Sequence, residues 1–282
     1  MATDRSKRTP GKIVILGKTG FIASALSQRL TLENRPFVSV GKAEADLLNP
    51  AAVATLRALL APNDSLVVTS ALTPEHGRSV ATFIKNVKMI ETLGEALKAS
   101  APAHVVYISS ESVYSPACVD VQETSSCDTE DLYGLSHWVR EKILSKLCRD
   151  YQIGLTILRP SAIYGAHAKH LSYGPNRFVD TALSEGRIEL FSKGEETRDH
   201  VYIDDVTRVI EWFARKRISG VFNVASGRSI SFAEVARNIT ASLGRPVDIH
   251  ALQATLTSFE ATPFAIGIQT MIEQRSAPKG VV

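Results

Sequence analysis

A doubly wound α/β fold, a parallel sheet covered on both faces by helices, is the architecture this chain predicts. Short apolar, β-branched runs recur along most of the 282 residues. Segments with helical periodicity separate them, and the first run ends in a glycine turn that opens directly into a helix. Near-continuous apolar strands alternating with amphipathic helices require cover on both sheet faces, which is the condition of a parallel sheet.

The strands are expected at Lys12–Leu16, Phe37–Val40, Leu66–Thr69, Val105–Ser109 and Leu155–Leu158, with a later one at Val221–Val224. Helices are expected at Ile22–Leu32, Ala51–Leu60, Ser79–Ala99, Leu132–Arg149 and Asp204–Lys216. The stretch from Ala166 to Glu196 breaks this rhythm with Gly, His, Ser and charges, and from Ser229 onward the pattern reads as helical with no further parallel strand. The expected organisation is a tail over residues 1–11, a core over 12–165, and a small C-terminal substrate-binding lobe over 166–282. Residues 200–228 are expected to return to the core. Open α/β sheets bind ligands outside the carboxyl ends of their strands, so the lobe is expected to close over that crevice.

Composition excludes several classes of function. The chain is 44% hydrophobic and 22% charged, ordinary for a globular protein of a size that buries a large core unaided. No apolar stretch reaches the roughly 18 residues of a membrane helix, and the first residues lack the apolar centre of a secretory signal. Arg5, Lys7, Arg8 and Lys12 against Asp4 already account for the net charge of +3, so no basic stripe is expected on the folded body and no nucleic-acid partner. Three cysteines without CxxC spacing suit a reducing, cytoplasmic setting. His167 and His170 lack an acidic partner at ligand spacing, so no metal is expected.

The glycine turn carries the first chemistry. Gly17-Lys18-Thr19-Gly20-Phe21-Ile22-Ala23 follows a buried strand and starts a helix. Gly17 permits the tight turn, Gly20 lets backbone approach a pyrophosphate, and Ala23 allows close packing of helix on strand. The helix N-terminus offers N–H groups and a positive dipole end to the phosphates. This context predicts a Rossmann-type dinucleotide site holding NAD or NADP.

The GxxGxxA spacing resembles the extended short-chain dehydrogenase/reductase family, the nucleotide-sugar epimerases and dehydratases. VVYISSESVY (Val105–Tyr114), Tyr133-Gly134-Leu135-Ser136, Ile157-Leu158-Arg159-Pro160 with Ile163-Tyr164-Gly165, and Thr197–Asp205 resemble its landmarks in the expected order. GVFNVASG (Gly220–Gly227) and Ala261–Ile272 resemble later ones, so the resemblance spans roughly residues 11–275.

The resemblance implies that Tyr133 exchanges a proton with a sugar hydroxyl or carbonyl, with Ser110 hydrogen-bonding the reacting oxygen. A phenol of ordinary pKa about 10 needs a nearby cation to work as phenolate. The family's YxxxK lysine is His137 here, on the same helix face but shorter and only partly charged near neutrality. His137 is therefore expected to be an imperfect cation that a lysine would improve upon. For the cofactor, the resemblance implies Gly17, Thr19, Gly20, Phe21, Ile22, Asp46, Leu47, Ser70, Ala71, Tyr133, His137 and Pro160. Lys42, after the second strand, stands where an NAD enzyme places an acid, which favours the 2′-phosphate of NADP. For a nucleotide-sugar substrate it implies Ser112, Asn176, Arg177 and Arg198, the guanidinium of Arg198 facing a diphosphate. Asn86 matches an architectural asparagine.

Dehydratases of the family carry Asp-Glu after the catalytic residue, whereas Glu111-Ser112 follows Ser110, leaving an epimerase or reductase. A homodimer through Ser79–Ala99 and Leu132–Arg149 is implied. The rival expectation is a non-catalytic dinucleotide- or sugar-nucleotide-binding protein that kept the fold and lost the lysine.

Overall fold

The computed structural model describes residues 11–118, 120–168, 174–190, 194–243 and 262–276. The expected tail, except Gly11, and His170 lie outside the described residues.

The chain divides into two compact units. The first comprises residues up to Arg159 together with Thr207–Phe222, and the second Pro160–Val206 and Asn223 onward. Strands β1 (Ile13–Leu16), β2 (Phe37–Val40), β3 (Ser65–Val68), β4 (His104–Ile108), β5 (Gly154–Pro160) and β8 (Gly220–Val224) form a six-stranded sheet in the order β2-β1-β3-β4-β5-β8. The pairings among its first five strands are all parallel. The order reverses beside β1, so the carboxyl ends of β1 and β3 flank the switch point where open sheets bind ligands.

The strands form where β-branched runs are buried on both faces. Val14, Ile15, Leu66, Val67, Val68, Val105 and Val106 have no exposed surface. One face packs Leu56 of α2 (Ala52–Leu59), Ile90, Leu93 and Leu97 of α3 (Val80–Ala99), and Leu144 and Cys148 of α4 (Leu132–Asp150) into a single cluster. Leu26 and Leu30 of α1 (Phe21–Leu32) and Ile210 and Phe213 of α6 (Ile203–Lys216) are also buried. Arg29 of α1 donates to Glu211 of α6 at 2.8 Å, and the Ser65 hydroxyl donates to the Ala214 carbonyl at 2.6 Å.

The second unit contains structure that the sequence pattern does not announce. Here β6 (Ala162–Tyr164), β7 (Thr197–Tyr202) and β9 (Ser229–Ser231) form a three-stranded sheet, β6 parallel and β9 antiparallel to β7. Ser229–Ser231 is thus a strand where the periodicity predicts helix. Three residues are too few to show a period, and pairing to Thr197–Asp199 overrides local preference. Helices α5 (Gly174–Glu185), α7 (Phe232–Ser242) and α8 (Phe264–Ser276) complete the unit. Asp199 ties it together by accepting from the Ser161 hydroxyl at 2.8 Å and from the Ser226 N–H and hydroxyl at 2.8 and 2.9 Å.

Candidate active site

The glycine turn sits at the carboxyl end of β1. Gly17 has φ +111°, and a Cβ there would stand 2.4 Å from Thr69 Oγ1, whose hydroxyl is anchored on the Leu16 carbonyl at 2.6 Å. Only glycine fits both the conformation and the space. The Gly20 N–H donates to the Gly17 carbonyl at 2.7 Å, and Gly20 begins α1 with no side-chain cap and no acid in the first turn. Thr19 is exposed, and Phe21 and Ile22 are half-buried at the start of the helix. An uncapped, acid-free helix start beside a left-handed glycine matches the donor set a pyrophosphate requires.

The loop after β2 carries charge rather than a lone lysine. Lys42 is 80% exposed in its side chain and lies 3.6 Å from Asp46, while Lys18 of the glycine turn donates to Glu44 at 2.8 Å. Glu44 also accepts from the Gly41 N–H at 2.9 Å, and the Lys18 hydrogen bond holds its carboxyl below the usual range. Asp46 caps the Leu48 N–H at 3.0 Å and Leu47 is buried. Lys18 and Glu44 are absent from the sequence-based site. The signal for them was the ordinary-looking lysine within the glycine turn.

Tyr133 and Ser110 lie on two elements forced into contact. Ser110 closes β4 and opens a single 3-10 turn at Glu111–Val113. Its Oγ accepts from the Ser112 N–H at 3.2 Å and donates to Ser112 Oγ at 3.1 Å. Asp131 caps α4 by accepting from the Gly134 N–H at 3.3 Å. A Cβ on Gly134 would stand 1.9 Å from the Ser112 carbonyl oxygen, so this glycine lets the helix start seat flush on the Ser110–Ser112 turn. Tyr133 is its immediate neighbour. Asn86 of α3 joins the same region by accepting from the Leu72 N–H at 2.8 Å, donating to the Leu72 carbonyl at 3.0 Å, and donating to Ser136 Oγ at 3.4 Å. Its architectural role follows from these bonds.

His137 behaves differently from the partly charged cation that its position suggests. It is buried, its Nδ1 lies 2.7 Å from the Tyr107 hydroxyl of β4, and its ring meets the Tyr133 ring edge-on at 4.7 Å between centroids. Burial first, and the Arg140 guanidinium second, push its pKa well below the ordinary value. His137 is a neutral imidazole across the neutral range. The expectation of a working cation is thereby corrected to a packing and hydrogen-bonding group.

Beneath it runs a buried polar chain that motif reasoning omits. Arg159 donates to both Glu141 oxygens, at 3.0 and 2.7 Å, and to the Tyr114 hydroxyl at 2.8 Å. Ser109 donates to Glu141 Oε1 at 2.5 Å. This network locks β5, α4 and the end of β4 together directly behind Ser110. Arg140 donates to the carbonyl of Ser70, beside the half-buried Ala71 at the end of β3.

Gly17, Thr19, Gly20, Phe21, Ile22, Lys42, Asp46, Leu47, Ser70, Ala71, Ser110, Ser112, Tyr133 and His137 thus belong to one compact unit. Pro160 is the first residue of the other, which also carries Asn176, Arg177 and Arg198. Asn176 is buried with its Oδ1 accepting from the Gly165 N–H at 3.1 Å. Arg177 lies 3.5 Å from Glu189, and Arg198 is exposed and pairs with Glu196 at 2.5 Å. Among the described residues no group of three or more His, Cys, Asp or Glu is placed to hold a metal, and no described helix is long and apolar enough to cross a membrane.

The pattern of the NAD dependent epimerase/dehydratase family matches residues 13–225. The chain belongs to that family. Among the chain's relatives, an ADP-L-glycero-D-manno-heptose-6-epimerase of Thiobacillus denitrificans is 32% identical over 145 residues, 48% of this chain and 43% of that protein. The chain thus matches under half the length of that relative. The UDP-N-acetylglucosamine 4-epimerase of Bacillus cereus superposes with a TM-score of 0.82 at 21% identity, covering 96% of this chain and 98% of the other. The UDP-glucose 4-epimerase of Thermus thermophilus, in complex with NAD, superposes at 0.78 and 17% identity, covering 95% and 100%. At these identities the two structures speak for the epimerase/dehydratase fold, a six-stranded sheet with flanking helices.

Proposed function

We propose that this chain is a nicotinamide-dependent enzyme acting on a nucleotide sugar, as an epimerase or reductase, with Tyr133 as its acid/base. The observation that carries the reading is the close seating of the start of α4 on the Ser110–Ser112 turn through Gly134, the sequence neighbour of Tyr133, in a chain of the NAD dependent epimerase/dehydratase family. The glycine turn and the uncapped start of α1 hold the pyrophosphate, with Ser70, Ala71 and Pro160 along the rest of the dinucleotide. When bound, the nicotinamide supplies hydride exchange at the sugar carbon. Tyr133 takes the proton from the sugar hydroxyl and returns it, and Ser110 orients that oxygen through its hydroxyl. Ser112, Asn176, Arg177 and Arg198 make up the substrate side. A homodimer through α3 and α4 is part of the proposal, supported by Val80 and Ile84 of α3, one helical turn apart and more than half exposed.

Lys42 favours NADP within this reading. Its pair with Asp46 is solvent-exposed and therefore weak, so the ammonium can turn to a 2′-phosphate at little cost.

The test begins with mass spectrometry of whatever nucleotide copurifies with the full chain. Absorbance in the reduced-nicotinamide band is then followed during incubation with UDP-, dTDP- and ADP-sugars. A bound nicotinamide whose redox state responds to one sugar supports the proposal. A nicotinamide complex inert to every sugar favours the non-catalytic binding protein, the reading that the neutral His137 supports.

A further inference from the structure

With His137 neutral, the Tyr133 face of α4 lacks the cation that its chemistry needs, yet a permanent cation lies within the same face. Tyr133, His137 and Arg140 follow one another at i, i+4 and i+7, one stripe along the helix. Helical side chains lean toward the N-terminus, so a long side chain at position 140 reaches back toward 137 and 133.

Arg140 has no exposed surface at all. One guanidinium nitrogen, Nη2, donates to the Ser70 carbonyl, and the guanidinium carbon lies 5.2 Å from the Tyr107 ring centroid. Its Nε and Nη1 have no hydrogen-bond partner among the described residues, and no described carboxylate pairs with it. Adjacent Glu141 is already taken by Arg159 and Ser109. A guanidinium does not deprotonate in the working range, so this is a fixed, buried, uncompensated positive charge. Such a charge is strongly unfavourable for folding alone. Its surroundings lead to the same two places. Tyr107 and His137 connect it to Tyr133, and Ser70 connects it to Thr69 and the Gly17 turn.

We propose that Arg140 is the positioning cation of this site, taking the place of a YxxxK lysine by stabilising the phenolate of Tyr133 and by anchoring the Ser70 carbonyl beside the glycine turn. The proposal rests on the reading of Tyr133 as the acid/base. Among the groups near the Tyr133 turn, no described carboxylate forms an ion pair with Arg140. His137 is neutral, the Tyr107 phenol on β4 is pushed up by burial and stays protonated, and Glu141 is matched by Arg159. Glu111 lies on the 3-10 turn below Gly134, and Asp131 at the helix start pairs with Arg78 at 3.1 Å near the surface.

The experiment titrates Tyr133 in the full chain by tyrosinate absorbance, as the difference between each protein and its Tyr133→Phe counterpart, with dinucleotide affinity measured alongside. Arg140→Met should raise the Tyr133 midpoint by about one to two pH units and, with the Ser70 anchor lost, weaken dinucleotide binding. Arg140→Lys should restore both, and the double variant His137→Lys/Arg140→Met, which moves the cation one turn back, should restore the midpoint. Should Arg140→Met fail to fold, Arg140→Gln against Arg140→Lys gives the same comparison of neutral and charged side chains. An unchanged Tyr133 midpoint in the neutral variant overturns the proposal, since a merely structural arginine would leave it in place. The titration needs no sugar, so failure of every sugar to react would sink the functional reading while leaving this assignment standing.

Discussion

Breaking the pair between Glu141 and Arg159 tests whether the site rests on a buried polar lock. Both side chains are almost fully buried, and the carboxylate accepts two guanidinium bonds at 3.0 and 2.7 Å plus the Ser109 hydroxyl. Glu141→Gln keeps the volume but leaves Arg159 charged without a counter-ion, and Arg159→Met leaves the carboxylate in the same position. Each single change should cost about 3–5 kcal/mol, the range for removing one partner of a buried pair. For a unit of this size that lowers the melting temperature by very roughly 6–20 °C. In the double variant neither charge remains, so the loss should fall short of the sum by at least about 2 kcal/mol. Both tryptophans of the chain, Trp138 and Trp212, belong to this unit, so urea unfolding followed by tryptophan fluorescence reports on it directly. Single variants within about 1 kcal/mol of wild type, or strictly additive losses, would show that the pair is incidental.

Other outcomes follow from the same geometry. Gly17→Val should fold with reduced stability, because its Cβ strikes Thr69 Oγ1 at positive φ, and should lose dinucleotide binding by calorimetry; wild-type affinity would remove the glycine turn from the site. Lys42→Ala should lower the NADP-to-NAD affinity ratio roughly tenfold to a hundredfold, as expected for a lost charge-assisted contact, and an unmoved ratio would make Lys42 a solvated residue. Acid should destabilise the fold between about pH 6.5 and 4. His104 is buried, with Nε2 2.7 Å from the Thr156 hydroxyl, and burial lowers its pKa to about 4. In that window the unfolded chain binds the proton and the folded one does not, so stability falls as pH falls. His104→Gln should flatten the slope of urea midpoint against pH by up to about 1.4 kcal/mol per pH unit in stability terms, and identical slopes would refute the assignment.

Much of the sheet was legible because buried β-branched runs leave an unmistakable pattern. The strands from β1 to β5 and the helices that cover them fall close to where periodicity puts them. The short strands β6, β7 and β9 were not legible as strands. Their three to six residues mix exposed Thr197 and Arg198 with buried Val201 and Tyr202, and their partners lie far away in sequence. At the site, Gly17, Ser110 and Tyr133 stand out because the chemistry demands their residue types at fixed places. Arg140 does not, since Arg140-Glu141-Lys142 reads as an ordinary charged run. Only its spacing of seven from Tyr133 hints at a shared face. The neutrality of His137 depends on Tyr107 from another strand, a contact that no local pattern encodes.

Turnover by Tyr133→Phe against wild type, on whichever nucleotide sugar the copurified cofactor responds to, measures directly whether this phenol is the acid/base. Loss of the phenolic hydroxyl removes the proton path but keeps the ring that packs edge-on against His137. Folding should stay intact and dinucleotide binding should be retained, while turnover falls by about a hundredfold to ten-thousandfold, the usual contribution of a general acid/base. Wild-type turnover by Tyr133→Phe would rule out Tyr133 as the acid/base.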